Sequence, residues 1–519
     1  MIPTSRSPNS GNTGQPAPAG AVAQRARPAL TPAVAYRRRW IALAVLAMAD
    51  FMVILDASIV NVALPSIGRA LGLSQGGLSW VVNAYVLTFG GFLLLGGRLA
   101  DLLGRRRMFM ISLAVFSAAS LAGGLAPSGA ALVAARAVQG VGGALAAPAV
   151  LALIVTSFPE GRERTRALGI YMGVITGGSS LGLVLGGVIT EWLSWRWVLF
   201  INVPIGAAVV AIAPVFVAET PRLPGRFDLA GAVTATAGVT ALVYGFIRAA
   251  SDGWGDHLTL AAFAAAAVLL TLFGVTEARA WQPITPPRLF ADVSRSGSFV
   301  ARLLLIAGMF GVFFFLTQFL QKIMGFSPLR AGVAFLPMTL ALFTASRLAP
   351  KLMPRLGAKP LMIAGMLPAI AALAWLSRVS PASGYLSGIF GPMLLLGLGV
   401  GLVFVPLTTT SLAGVPAADS GAASGLVNML QLVGGALGLG VLVAVYGTAS
   451  RNAASHPLPG LAPAAQAQQV LTHGIAAAFG FAAILAACSL LVIVTLIRTR
   501  KLAADRAPAR REQEHATAS

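Results

Sequence analysis

The sequence predicts an all-α membrane protein of fourteen transmembrane helices, two six-helix bundles plus an inserted helix pair. Three observations predict it. Of 519 residues, 57% are hydrophobic and only 10% charged, whereas a soluble domain carries about a quarter charged residues. The apolar residues gather in runs of about 20, the length that crosses a bilayer core as a helix. A loop sequence of the first half also recurs in the second, as expected of a chain built from repeated units.

Residues 1–38, rich in Pro, Ala, Gly and Ser, lack an apolar run and read as a disordered tail. Charges, prolines and Gly-Ser clusters then cut the chain into apolar cores. The first six are Trp40–Leu64, Leu78–Gly97, Met108–Leu125, Ala130–Thr156, Ala167–Thr190 and Trp197–Val217, which make residues 39–218 an N-terminal bundle. Leu229–Ile247 and Leu258–Thr276 form the inserted pair, with a linker, in residues 219–296. Phe299–Leu320, Ala331–Pro350, Pro360–Leu376, Tyr385–Leu407, Ala422–Tyr446 and Gly474–Ile497 make residues 297–498 the C-terminal bundle. Residues 499–519 are a basic tail.

The net charge of +21 raises nucleic acid as a partner, so the position of the cations decides. Lys and Arg crowd the tails and the loops after even-numbered spans. The opposite side holds only Arg69, Arg196, Arg248, Lys322, Arg330, Arg378 and Arg451, and Arg136 lies inside the fourth span. That bias places both termini in the cytoplasm and explains the charge without nucleic acid. The single cysteine, Cys488, forms no intramolecular disulfide and is expected to pack within its helix.

The repeat joins Arg98-Leu99-Ala100-Asp101-Leu102-Leu103-Gly104-Arg105-Arg106 to Lys351-Leu352-Met353-Pro354-Arg355-Leu356-Gly357-Ala358-Lys359. Gly104 and Gly357, and the span starts at Ala167 and Ala422, share an offset of about 250 residues, so spans one to six correspond to nine to fourteen.

These residues resemble the major facilitator superfamily, in particular its fourteen-helix drug:proton antiporter branch (EmrB/QacA type). The loop from Gly97 to Arg107 is similar to the superfamily's motif between its second and third helices. Leu55-Asp56-Ala57-Ser58-Ile59-Val60-Asn61-Val62-Ala63-Leu64-Pro65 is similar to the branch's first-helix signature. Trp195 to Gly206, Ser424 to Asn428, and Arg136-Ala137-Val138-Gln139-Gly140 are further such stretches. The resemblance implies a secondary active transporter, not an enzyme. It would export drugs or small lipophilic metabolites from the bacterial cytoplasm by alternating access, driven by a proton gradient without a cofactor. Its partners would be a lipophilic small molecule, protons and membrane lipids, and the chain would act as a monomer. In the fifth helix a proline usually follows a glycine, whereas here Gly182 precedes Leu183; antiport and symport both stay open. The glycine ladders Gly173, Gly177 and Gly182, Gly186 are expected to allow close helix packing.

An acid inside the bilayer is costly and usually functional. Only Asp50 and Asp56 lie deep in a span, both in the first, and no acid lies within the spans of the second bundle. Asp56, Asp50 and Arg136 are therefore the proton-coupling candidates, with Asp56 preferred because it sits in the family motif. Six residues turn a helix by about 240°, so the two acids meet different surroundings. Gly97, Asp101, Gly104 and Arg105 are expected to form a conformational latch with Glu160 or Glu163. Polar or aromatic residues within spans are the substrate-cavity candidates: Asn61, Tyr85, Gln139, Tyr171, Gln318, Gln321, Asn428 and Gln431. No metal set, phosphate-binding loop or nucleophile-base pair supports an intramembrane enzyme.

Overall fold

A computed structural model of the chain describes residues 32–159, 162–220, 229–279, 287–416 and 420–498. Among them there is no strand. The first half contains α1 (Pro32–Leu71), α2 (Gln75–Leu103), α3 (Arg105–Gly124), α4 (Gly129–Ser157), α5 (Arg162–Trp192), the single-turn α6 (Trp197–Phe200) and α7 (Asn202–Phe216), the last two sharing one crossing. The inserted pair is α8 (Leu229–Asp252) and α9 (His257–Arg279). In the second half, α10 (Val293–Gln318) runs into a π-helical turn, Phe319–Ile323, and α11 (Pro328–Ala334) and α12 (Leu336–Leu356) share a crossing. α13 (Ala358–Leu376), α14 (Gly391–Leu412), α15 (Ser420–Ser455) and α16 (Pro463–Leu496) complete it.

Thirteen helical segments of the described residues are long and apolar enough to cross a membrane. The 31-residue α5 fills the remaining place beside α1. α1 starts at Pro32, inside the expected tail. Its first turns are anchored by Arg38, which donates to the Val215 carbonyl, and by Arg39, 3.7 Å from Glu163. The rest of both expected tails lies outside the described residues.

The two halves repeat one packing plan. α1 lies on α5 and α7, α4 on α2 and α3; likewise α10 lies on α15 and α16, α14 on α12 and α13. Each repeat's tight loop turns at a left-handed glycine, Gly104 (φ 102°) and Gly357 (φ 86°), where a side chain would be strained. Within each half small residues set the spacing. At Gly142 a Cβ would come within 2.8 Å of the Phe116 backbone nitrogen, so α4 sits against α3 with no room for a methyl group.

The halves meet where α2 packs on α15 and, between α5 and α11, at the end of the bundle away from the start of α1, called here the far side. There the Glu191 carboxylate on α5 accepts from the Leu329 amide on α11 (2.9 Å), and Gln321 donates to the Val62 carbonyl of α1 (2.8 Å). Leu183, where the family usually has proline, is buried, and its carbonyl faces Gly332 of α11. α8 packs against both α2 and α15, and α9 against α8.

The glycine ladder of α5 divides between these environments. Added Cβ atoms at Gly182 and Gly186 would lie 2.8 Å from Ser58 Cβ and from the Ile59 carbonyl of α1, but at Gly173 and Gly177 they would meet nothing within 4 Å. Close packing was expected of all four and fails at Gly173 and Gly177. Nine residues turn a helix to its opposite side, so Gly173 and Gly177 face away from α1, which Gly178, Gly182 and Gly186 of the same helix approach. Cys488, expected to pack, is exposed on α16.

Candidate functional site

Asp56 sits midway along α1 with no exposed surface, and Arg136 on α4 is 2% exposed. Their burial follows from the helices that carry them: small residues on α4, Gly140 above all, bring it so near α2 that a Cβ at Gly140 would strike Thr88 and the Tyr85 carbonyl. Arg136 Nη1 donates to Asp56 Oδ2 at 2.5 Å and to Gln139 Oε1 at 2.8 Å. Arg136 Nε donates to the Val81 carbonyl at 3.2 Å, and the guanidinium lies 4.2 Å from the Tyr85 ring centre. Asp56 Oδ1 accepts from Gln139 Nε2 and Asn202 Nδ2, both at 2.8 Å. The two amides also donate to Ser120 Oγ, at 3.2 and 3.0 Å, and Ser120 donates to the Leu199 carbonyl.

One carboxylate thus ties α1 to α4 and α7 and, through Ser120, to α3. A buried charge is tolerated when it is paired and its remaining hydrogen-bonding capacity is filled, and this pair meets both conditions. Arg136 and Gln139, one turn apart on α4, reach the same acid.

Asp50, six residues earlier, faces another neighbour. Its Oδ2 accepts from the Tyr171 hydroxyl of α5 at 2.5 Å, and no ion pair joins it to a basic residue among the described residues. The two acids of α1 therefore serve different helix contacts.

Other candidates separate. Tyr85, Gln139 and Gln318 are buried, not lining open space; the first two serve the Asp56–Arg136 pair, and Gln318 accepts from Lys322 at 3.1 Å. Asn61 donates to the Ala57 carbonyl of its own helix, and Gln321 bonds across the far side as described. Asn428 is exposed, while Gln431, one turn on, accepts from Arg302 at 3.1 Å.

Of the latch residues, the Asp101 side chain and Glu160 lie outside the described residues. Glu163 pairs with Arg39. Gly97 is half-buried in α2, in ordinary contact with Pro148. The acid at the Gly104 turn is Glu219: it accepts from the backbone amides of Arg106 (3.0 Å) and Arg107 (3.2 Å) and lies 3.8 Å from Arg106 Nε. An anion at this free helix start satisfies orphan amides and the positive end of the helix dipole.

Sequence reasoning missed Asn202, Ser120, Glu219 and Arg302. Asn202 was visible as part of the Trp195 to Gly206 stretch, yet its partner was not. Arg302 read as a flanking topological charge, whereas it lies inside α10 and is 2% exposed. Among the described residues no group of His, Cys, Asp and Glu is placed to hold a metal.

The sequence profile of the Major Facilitator Superfamily matches residues 46–439. The puromycin resistance protein of Streptomyces alboniger is 41% identical, over 90% of this chain and 93% of that protein. The cephamycin export protein of Amycolatopsis lactamdurans is 46% identical, over 78% of this chain and 85% of that protein. Among solved structures, a bacterial homologue of the human lysosomal transporter Spinster aligns with a TM-score of 0.61 at 17% identity, over 92% of this chain and all of that one. The repeated six-helix plan, the charge pair buried within its first half and these similarities agree: the chain belongs to the Major Facilitator Superfamily and is a membrane transporter, not an enzyme.

Proposed function

We propose that the protein is a proton-driven exporter of lipophilic small molecules of the antibiotic kind, working by alternating access in the bacterial cytoplasmic membrane with both termini inside. The observation that carries this reading is the Asp56–Arg136 pair, enclosed by Gln139, Asn202, Ser120 and Tyr85. A proton on Asp56 removes the charge that holds Arg136. The guanidinium keeps Gln139, the Val81 carbonyl and the Tyr85 ring as anchors, so it is released from α1 without being stranded. Because Asp56 joins α1 to α4, α7 and α3, its charge state reaches the packing of four helices of the first half, whereas among the described residues Asp50 bonds to Tyr171 of α5 alone.

The similarity to resistance and export proteins supports the substrate class, and the basic terminal-side loops support the orientation. The same loops place anionic lipid headgroups against the terminal side.

The test is transport in sealed proteoliposomes under an imposed pH gradient, with puromycin as probe. Proton efflux from vesicles in step with puromycin uptake, lost in Asp56→Asn, supports antiport through Asp56. Protons and puromycin moving in the same direction overturn antiport, and unchanged coupling in Asp56→Asn overturns the assignment of that residue.

A further inference from the structure

Arg302 is a buried arginine of the second half, carried by α10, the helix that corresponds to α1. Like Arg136, it is 2% exposed, but among the described residues Arg136 has an acid and Arg302 has none. Arg302 Nη1 donates to Gln431 Oε1 of α15 at 3.1 Å, Nη2 donates to the Thr408 hydroxyl of α14, and the Phe404 ring lies under the guanidinium at 4.6 Å. All three partners are neutral, and the buried Nε has no acceptor. No carboxylate among the described residues pairs with Arg302.

A cation placed within the bilayer and left without an anion is costly, and such residues mark ligand or ion pathways. The neighbours suit an incoming anion. The guanidinium offers a planar fork that matches a carboxylate, Gln431 carries N–H groups beside it, and the Thr408 hydroxyl, which now donates to the Phe404 carbonyl at 2.8 Å, can rotate to donate to an anion. Phe404, Thr408 and Gln431, the residues that cover the guanidinium, are each partly exposed. The corresponding helix pair of the first half, α1 with α5, carries the opposite charge in Asp50 bonded to Tyr171.

We infer that Arg302, with Gln431 and Thr408, binds a carboxylate or comparable oxyanion carried by the transported molecule. This rests on the export reading and narrows it: the carrier accepts acid-bearing molecules by a contact that amines do not use.

The test uses the full chain in lipid nanodiscs, with cephamycin, a carboxylate-bearing β-lactam, and puromycin, an amine with no acid group, as probes. Arg302→Gln is expected to weaken cephamycin binding tenfold or more and to leave puromycin binding within twofold; Arg302→Lys recovers part of the loss. Thr408→Val, which keeps the volume, is expected to produce a smaller loss of the same selectivity and covers the case in which Arg302→Gln does not fold. Unchanged cephamycin affinity in both variants, equal loss of both probes at wild-type melting temperature, or no cephamycin binding by the wild type overturns the inference. Flux in proteoliposomes separates the two readings. Arg302-dependent binding without cephamycin flux counts against export and keeps the oxyanion site, whereas cephamycin flux indifferent to Arg302 sinks the site alone.

Discussion

Asp56 and Arg136, 80 positions apart in the chain, meet at 2.5 Å in a pocket that hides both side chains. Breaking such a pair by removing one partner typically costs about 3–5 kcal/mol, because it strands the other charge. Arg136→Leu should therefore lower the melting temperature sharply, and Asp56→Asn combined with Arg136→Gln should recover much of that stability. The double variant should still lack proton coupling. Thermal unfolding in detergent and coupled flux in vesicles measure the two effects separately; restored coupling in the double variant would show the pair to be structural only.

Asn202 holds the same carboxylate from α7. A hydrogen bond to a charged group contributes roughly 1.5–3 kcal/mol, and its loss leaves Asp56 with one donor fewer. Asn202→Ala should therefore lower the melting temperature and weaken proton-coupled flux in vesicles. Wild-type melting together with wild-type coupling would remove Asn202 from the coupling site.

Two glycine-to-alanine changes should have opposite outcomes. At Gly142 the new methyl group meets the α3 backbone at 2.8 Å, and forced overpacking costs about 1–3 kcal/mol. At Gly173 nothing lies within 4 Å, so alanine stabilises the helix by roughly 0.5–1 kcal/mol. Melting temperatures of the purified variants check both signs.

Glu219 should be detectable through the amides it covers. Glu219→Gln weakens the anchor of the Gly104 turn, and the Arg106 and Arg107 amides should exchange hydrogen about fivefold faster, a difference of roughly 1 kcal/mol for a capping contact. Exchange elsewhere in α3 should stay unchanged.

The α8–α9 turn has its own pH signature. The Arg248 side chain, and next the Thr259 amide, hold the Asp256 carboxyl down at about 2. A depressed carboxyl contributes stability that is fully present above its unfolded value, near 4, and is lost as pH falls through the folded one. Protection of the Thr259 amide should stay level from pH 7 to about 4 and decline toward pH 2. A decline centred above pH 5 would contradict it.

The fold was legible because each crossing needs a long apolar run, and the loop glycines Gly104 and Gly357 mark the repeat. Asp56 and Arg136 were legible for a related reason: charges inside apolar runs are few. What joins them was not. Asn202 and Ser120 acquire their role only when α7 and α3 approach α1, a tertiary event with no local pattern. Arg302 stands near a span end, where a basic residue usually reports topology. Gly173 and Gly182 look alike in sequence, and only the face of α5 that α1 covers separates an open glycine from a packed one.

The inserted α8 lies between α2 and α15 along their outer face. A Cβ added at Gly76 would lie 3.0 Å from the Ile247 side chain, Trp80 meets Tyr244, and a Cβ added at Gly447 would lie 2.7 Å from the Ala250 carbonyl. One of the two seams between the halves is thus covered by a strip of protein, while the α5–α11 seam is bare among the described residues. The flank beneath α8 is gasketed by an added helix, whereas the opposite flank is shut by direct backbone contact, with no room for a methyl group at Gly187 or Gly332.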